Sequence, residues 1–575
     1  MKHSLILLIL SFSIIISQIT FSQNNPNQSK EYPKNSFSSP VKIPISLSGS
    51  FAELRTNHFH SGIDIRIGGK EGEKVYSPFD GEVSRIKIQA FGGGKNLYIA
   101  HTNGYTTVYM HLQKFSYKIE KYVKAYHYAN QTYEFDIPVP KGRLKIEKGE
   151  FIAYAGNSGS SSGPHLHYEI RDSKTENIIN PFHFGLEVKD NLPPYITSIL
   201  ISPEGEFSRI EGLREKKIFN NIKDNDTIKV TNKIVLGIKS FDKENNSNSR
   251  NGAYSYSLKV NDKPFWNLQI DEFSFAVSKY INACIDYEIY SKTGQRYLIS
   301  KKLPNNQFPH FTTFENEGVL EFASNEIKKI EYIIKDFQAN TKTLTFYLQS
   351  QPTFPSNYHQ EEERPTHIFY WNKENRIIDE GIQVIVPKNS LYDDCFVTYE
   401  KVIDTSTNEQ IYKILSHEAL HTNMELKIQI PKQLIDNPKL KNKFLIVEKG
   451  GKYAVSKGGK QIGNEIIAKV NSFGEFSVSV DTLSPTINPI NFKNNVKLSK
   501  NQKTLRVRIK DNLSGIASYK GYLNGKWVLM EYDGKNSTLI YTIDSKELNL
   551  PTNNLRVVIT DRVGNSSEEN FKIIR

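Results

Sequence analysis

His60-Ser-Gly-Ile-Asp64, Tyr109-Met-His111-Leu112 and Ser161-Ser-Gly-Pro-His165-Leu-His167-Tyr-Glu-Ile-Arg171 lie within one stretch of about a hundred residues. The last run alternates polar and apolar side chains, the pattern of a half-buried strand. His165 and His167 are two apart and His60 and Asp64 four apart, and on a strand residues at even spacing share a face. Each pair can aim at one point, and two such strands side by side bring up to four groups together. Two imidazoles and a carboxylate suit Zn²⁺, with a fourth position left for water. Gly62 and the Gly163-Pro164 turn leave room for close backbone approach. The pairs alone are weak evidence, since 14 histidines in 575 positions give about 0.3 His-x-His pairs by chance.

Outward from this stretch the pattern remains short strands and glycine turns. Gly81 to Ile88, Asn96 to His101, Thr106 to His111 and Phe151 to Ala155 read as strands. Gly92-Gly-Gly94 and Asn103-Gly104 mark hairpins. Residues 49–187 are therefore expected to form an antiparallel β-domain. Residues 113–148, rich in Lys and Tyr, read as a surface insertion beside the site and a candidate substrate-facing wall.

The remainder reads as about three β-sandwich-like domains, making the chain all-β. Residues 195–350 and 484–575 look like related immunoglobulin-like modules. Each follows a proline-marked start (Pro193-Pro194, Ser484-Pro485), and a late β-run in each is followed by an Asp four residues before an Asn, Asp336 with Asn340 and Asp561 with Asn565. Residues 365–480 form a further β-rich segment, with Gly381 to Pro387, Met424 to Pro431 and Phe444 to Glu448 as strands; residues 351–364 read as a linker.

At the other end, Lys2 and His3 precede an apolar run from Leu5 to Ile19, and Thr20-Phe21-Ser22 puts small residues before Gln23. Residues 1–22 are read as an export signal, with an uncleaved anchor as the alternative, and 23–48 as a leader. No cysteine follows to carry a lipid, and no later segment reads as a membrane span. Export places the mature chain in the periplasm, at the cell surface or outside the cell. The net charge of +12 is spread along the chain, with no arginine-rich patch interleaved with aromatics, so nucleic acid is not an expected partner. Cys284 and Cys395 fall in different domains and read as separate buried thiols.

Five elements, in order and with their flanking residues, carry a resemblance. They are Arg55 to Ile65, Pro78-Phe-Asp-Gly81-Glu-Val83, Tyr109-Met-His111-Leu112, Gly156-Asn-Ser-Gly159 and Ser162 to Arg171. This set resembles the lysostaphin/LytM-type zinc metallopeptidases over roughly residues 50–185. The resemblance implies Zn²⁺ held by His60, Asp64 and His167, with His111 and His165 acting on water and oxyanion. Glu169 is then a supporting residue. It implies hydrolysis of peptide bonds in peptidoglycan stems or cross-bridges. Some members keep the groove without activity, so a wall-binding regulator is the alternative; a protease of non-wall proteins is a third reading. All five positions are present, which favours activity. The insertion at 113–148 departs from the family's short connection.

His417-Glu-Ala-Leu-His421 competes as a His-Glu-x-x-His motif, expected by chance about 0.02 times. That motif needs a long helix, whereas a strand-like run begins at Met424 and Pro431 follows, so a loop is the expected reading. His58 is expected beside the site rather than in it, and His101 is expected to be structural.

Overall fold

The computed structural model describes residues 31–351 and 365–574, apart from 246, 452, 500, 545 and 549. The export segment at 1–22, His359 and most of the linker at 351–364 lie outside the described residues.

The first domain is built on one antiparallel sheet. Seven strands make its main path: β1 (Leu47–Gly49), β2 (Ile63–Arg66), β3 (Gly81–Ile88), β4 (Lys95–His101), β5 (Tyr105–Met110), β6 (Phe135–Pro138) and β7 (His165–Asp172). Their order is β1-β2-β7-β5-β4-β3-β6, so β7 sits centrally between β2 and β5. Alternation in β7 decides its two faces. Leu166, Tyr168 and Ile170 are fully buried and join the hydrophobic core. His165, His167, Glu169 and Arg171 alternate with them and form a polar line on the opposite face. Register then pins the site, because His167 pairs with Asp64 on β2 and with Met110 on β5. A one-residue slip would turn the polar line into the core.

The chain is otherwise all-β, as expected, and helices are few and short. The longest among the described residues is α1 (Tyr117–Asn130), inside the insertion read at 113–148. It buries Ile119, Val123 and His127, one side of a helix at i, i+4 and i+8.

Two further modules share a plan. In the first the shared strands are β8 (Tyr195–Ile210), β9 (Thr227–Phe241), β10 (Ser255–Val260), β11 (Lys263–Gln269), β12 (Ile327–Lys335) and β13 (Thr341–Ser350). In the last they are β14 (Thr486–Pro489), β15 (Thr504–Lys510), β16 (Ile516–Leu523), β17 (Lys526–Val528), β18 (Thr552–Asp561) and β19 (Ser566–Ile574), with two more strands at Glu531–Asp533 and Thr538–Thr542 between β17 and β18. In each, the third strand pairs with the fourth and fifth, and the fifth pairs with the sixth. Residues 366–481 carry a core of their own, from Phe369 to Val478. One continuous core joins the first domain to both modules. Phe59, for example, stacks on Phe308 of the first module at 4.6 Å.

Candidate metal centre

Asp64 is the hub. Its Oδ1 lies 3.1 Å from His60 Nε2, 2.9 Å from His167 Nδ1 and 3.4 Å from His165 Nε2. His60 Nε2 and His167 Nδ1 are 3.1 Å apart. His60, Asp64 and His167 are all buried and form a candidate metal-holding group. Donors around a tetrahedral Zn²⁺ at about 2.0–2.1 Å stand about 3.3 Å apart, close to this spacing. The outward ring nitrogens fix which atoms face inward. His60 Nδ1 donates to the Ser50 carbonyl at 2.7 Å, and His167 Nε2 donates to Glu169 Oε1 at 3.0 Å. In the neutral ring each inward nitrogen then carries the lone pair that a metal takes; burial opposes charge on His167, yet without a metal the Asp64 and Glu169 carboxylates push its imidazole up to about 9. The residues present fit zinc.

His60 reaches this point differently from the expectation of a shared strand face. β2 begins only at Ile63, and His60 lies in the loop before it, pinned by backbone bonds to Ala52 and Glu53. Gly62 makes the approach possible: a Cβ there would stand 2.4 Å from the Tyr168 carbonyl oxygen and 3.0 Å from His167 Nε2. Arg55 Nη2 donates to Asp64 Oδ2 at 3.1 Å. Burial pushes the Asp64 carboxyl up, but His60, His165 and His167 together hold it well below the usual carboxylate range.

His111 and His165 stand beside the three. Their ring centroids are 4.8 Å apart, and His111 lies 6.2 Å from His167. His111 Nδ1 donates to the Ser158 carbonyl at 2.9 Å, and His165 Nδ1 to that of Gly163 at 2.9 Å. In the neutral ring Nε2 is then the accepting nitrogen of each, and that of His165 lies 3.4 Å from Asp64 Oδ1. His111 has a φ of 60°, a left-handed conformation that is uncommon for a non-glycine residue and clusters at functional sites. Burial first, then the neighbouring His167 and His165, push its imidazole down to about 3. It is neutral at neutral pH.

Beneath His167 the polar line continues. Glu169 Oε2 accepts from Arg171 Nε at 2.7 Å, and Arg171 Nη1 reaches Glu176 at 3.3 Å. Burial opposes charge on Glu169, yet Arg171 and His167 hold its carboxyl down at about 2. A cleft lined by Arg66, Gly68, Gly69, Gly163, Pro164 and His165 opens beside the site.

The last module closes the other flank. Lys535 Nζ donates to the carbonyls of Asn157 and Ser161, on either side of the loop that supplies Ser158. Lys95 Nζ, largely buried, pairs with Glu531 at 2.8 Å. Helix α1 meets this module too, through Tyr128 on Trp527 and Glu547.

The other histidines stay apart. His58 is exposed and turned to the Thr56 carbonyl. His101 is buried and bonded to Thr107 at 2.8 Å. His417 to His421 runs through a loop without helix, and His421 stacks on Tyr280 at 4.5 Å. Cys284 and Cys395 are both buried and free. Reading the sequence missed the carbonyls of Ser50 and Ser158, because backbone acceptors leave no side-chain signature.

Residues 58–132 match peptidase family M23, and residues 366–481 match the Zu5-like domain. An "uncharacterized metalloprotease" of Haemophilus influenzae is 38% identical over 111 residues, 19% of this chain and 18% of that one. "Peptidoglycan DD-endopeptidase ShyB" of Vibrio cholerae is 33% identical over 111 residues, 19% of this chain and 20% of that one. A solved zinc-containing peptidase from Vibrio cholerae is 26% identical, with a TM-score of 0.17, covering 24% of this chain and 37% of that one. The chain thus spans about a fifth of the length of the curated relatives it matches. The first domain of this chain is a peptidase family M23 domain, of the LytM type that its motifs resemble.

Proposed function

We propose that the chain is a zinc metalloendopeptidase that hydrolyses peptide bonds of peptidoglycan stems or cross-bridges outside the cytoplasm. The observation that carries this reading is the convergence of His60 Nε2, Asp64 Oδ1 and His167 Nδ1, with both outward ring nitrogens tied to acceptors. His60, Asp64 and His167 would hold Zn²⁺. Bound there, the ion polarises a scissile carbonyl and lowers the pKa of water to about 7. His111, neutral at neutral pH, and His165 beside it take the proton of the attacking water. Once protonated, either can hydrogen-bond the developing oxyanion or pass the proton to the leaving amine. Glu169 holds His167 in the tautomer that the metal needs.

The relatives named as metalloprotease and DD-endopeptidase support this substrate class, as does the apolar run at Leu5 to Ile19 for export. The modules at 195–350 and 484–575 are read as immunoglobulin-like parts that place or stabilise the peptidase.

The test is digestion of purified peptidoglycan by the zinc-loaded full chain, with mass analysis of the fragments. New amino termini within stem or bridge peptides are expected, and His60→Ala should release none. Equal release by His60→Ala would overturn the assignment. Stoichiometric zinc without fragments would favour the wall-binding alternative.

A further inference from the structure

Two clusters of carboxylates stand apart from the candidate zinc ligands, one in each related module. In the first, Asp190, Asp242 and Asp336 bring one oxygen each within 4.8 Å of one another; in the last, Asp481, Asp511 and Asp561 do the same. The two match position by position. Asp190 and Asp481 each stand five residues ahead of the module's first strand, in the sequences Asp190-Asn-Leu-Pro-Pro194 and Asp481-Thr-Leu-Ser-Pro485. Asp242 and Asp511 each directly follow the second strand. Asp336 follows β12, and Asp561 ends β18.

Their hydrogen bonds match as well. Asn340 donates from its backbone to Asp336 Oδ1 at 2.8 Å and from its side chain to Oδ2 at 2.6 Å; Asn565 does so to Asp561 at 2.8 and 2.6 Å. The same side-chain amides also reach the carbonyls of Asp190 at 3.3 Å and Asp481 at 3.1 Å. Each asparagine thus ties the fifth strand's aspartate to the linker's aspartate and holds both in place.

A second observation points to a ligand. Asp242 is only 7% exposed and Asn251 only 3%, yet Asp242 Oδ1 and Asn251 Oδ1 have no hydrogen-bond partner among the described residues. The two residues are bridged backbone to backbone and line one cavity with Asp190 and Asp336. In the last module Asp511 Oδ1 and Ser514 Oγ are likewise buried and unpartnered. Buried oxygens left without donors are costly, and here they recur at the same place in both modules. The donors are all oxygens, with no imidazole or thiolate, which selects a hard cation. A spread within 4.8 Å suits oxygens around an ion held at about 2.3–2.6 Å.

We propose that each cluster is a calcium site, so that the chain binds two Ca²⁺ at the starts of its first and last β-modules. Asp190 leads in from the peptidase domain and Asp481 from the segment at 366–481, so each ion would tie an interdomain linker to the module that follows. The first site also adjoins Gly252, whose N–H donates to Ser50 Oγ at 3.0 Å, and Ser50 is the residue that anchors His60.

The test uses the zinc-loaded full chain, freed of calcium and dialysed against millimolar CaCl₂ or MgCl₂, with bound metal counted by atomic emission. Two bound Ca²⁺ per chain are expected, with Mg²⁺ not substituting. Asp242→Asn and Asp511→Asn should each remove one equivalent, and the double variant both. These substitutions spare internal bonds, because the oxygens they target have none. Fewer than two Ca²⁺ on the wild-type chain overturns the proposal whether or not a variant folds. Two Ca²⁺ that persist in the double variant overturn it equally.

Discussion

Replacing Glu169 with Gln alters one atom, and the structure says which partner suffers. The carboxylate is fully buried, with His167 Nε2 on one oxygen at 3.0 Å, Arg171 Nε on the other at 2.7 Å and the Ser61 hydroxyl as a further donor. An amide offers a single acceptor oxygen. If that oxygen stays on Arg171, the NH₂ group faces His167 Nε2 and drives its proton to Nδ1. Nδ1 then has no lone pair for the metal. If the oxygen turns to His167, the NH₂ group meets the guanidinium, and a buried cation left unpaired costs about 3–5 kcal/mol. The remaining Glu176 contact, at 3.3 Å, relieves part of that. The first outcome is therefore favoured. Loss of such a supporting partner typically costs 10- to 100-fold in metal affinity, or about 1.4–2.8 kcal/mol. Competition with a fluorescent zinc chelator at pH 7 measures it, alongside the thermal midpoint of the metal-free proteins. A folded Glu169→Gln protein that binds zinc within twofold of wild type would refute the tautomer argument.

Three other outcomes are expected. Gly62→Ala puts a Cβ 2.4 Å from the Tyr168 carbonyl oxygen, so β2 and β7 must part; overpacking of this kind costs about 1–3 kcal/mol, read by urea unfolding, and zinc affinity should fall with it. His111→Ala should keep zinc at full stoichiometry while hydrolysis falls by about 10²–10⁴-fold, and metal content measured with fragment release separates the two effects. His101, pushed from 6.5 down to about 4 by burial, binds its proton later in the folded chain than in the unfolded one. Its contribution is complete above pH 6.5 and is lost as pH falls towards 4, by at most about 3 kcal/mol. The stability difference between wild type and His101→Gln should therefore shrink between pH 7 and pH 4.5, and a pH-independent difference would contradict this.

The polar line of β7 was legible because strand period 2 writes it directly into His165, His167, Glu169 and Arg171. The convergence of His60 was legible only as a pair, since the bend at Gly62, not strand periodicity, brings the ring in. Helix α1 did leave a signal in Ile119, Val123 and His127, but its Lys- and Tyr-rich surroundings masked a narrow apolar stripe. The orienting carbonyls and the grip of Lys535 leave none, because they depend on tertiary placement. The paired aspartates lay between these cases. The Asp-to-Asn spacing was visible in both modules, whereas the third carboxylate of each cluster comes from a separate strand end.

The Lys535 contact also bears on when the peptidase becomes complete. Ser161 and Lys535 are separated by 374 residues, and a ribosome delivers them in that order. All five site residues exist, and β2, β5 and β7 can pair, long before the side chain that clamps Asn157 and Ser161 has been made. The loop orienting His111 through Ser158, and His165 through Ser161 and Gly163, is held from this flank only after the last module has folded and docked. Synthesis of residue 535 thus acts as a clock on the site, and a product stopped short of it carries all five candidate site residues without this restraint on two of them.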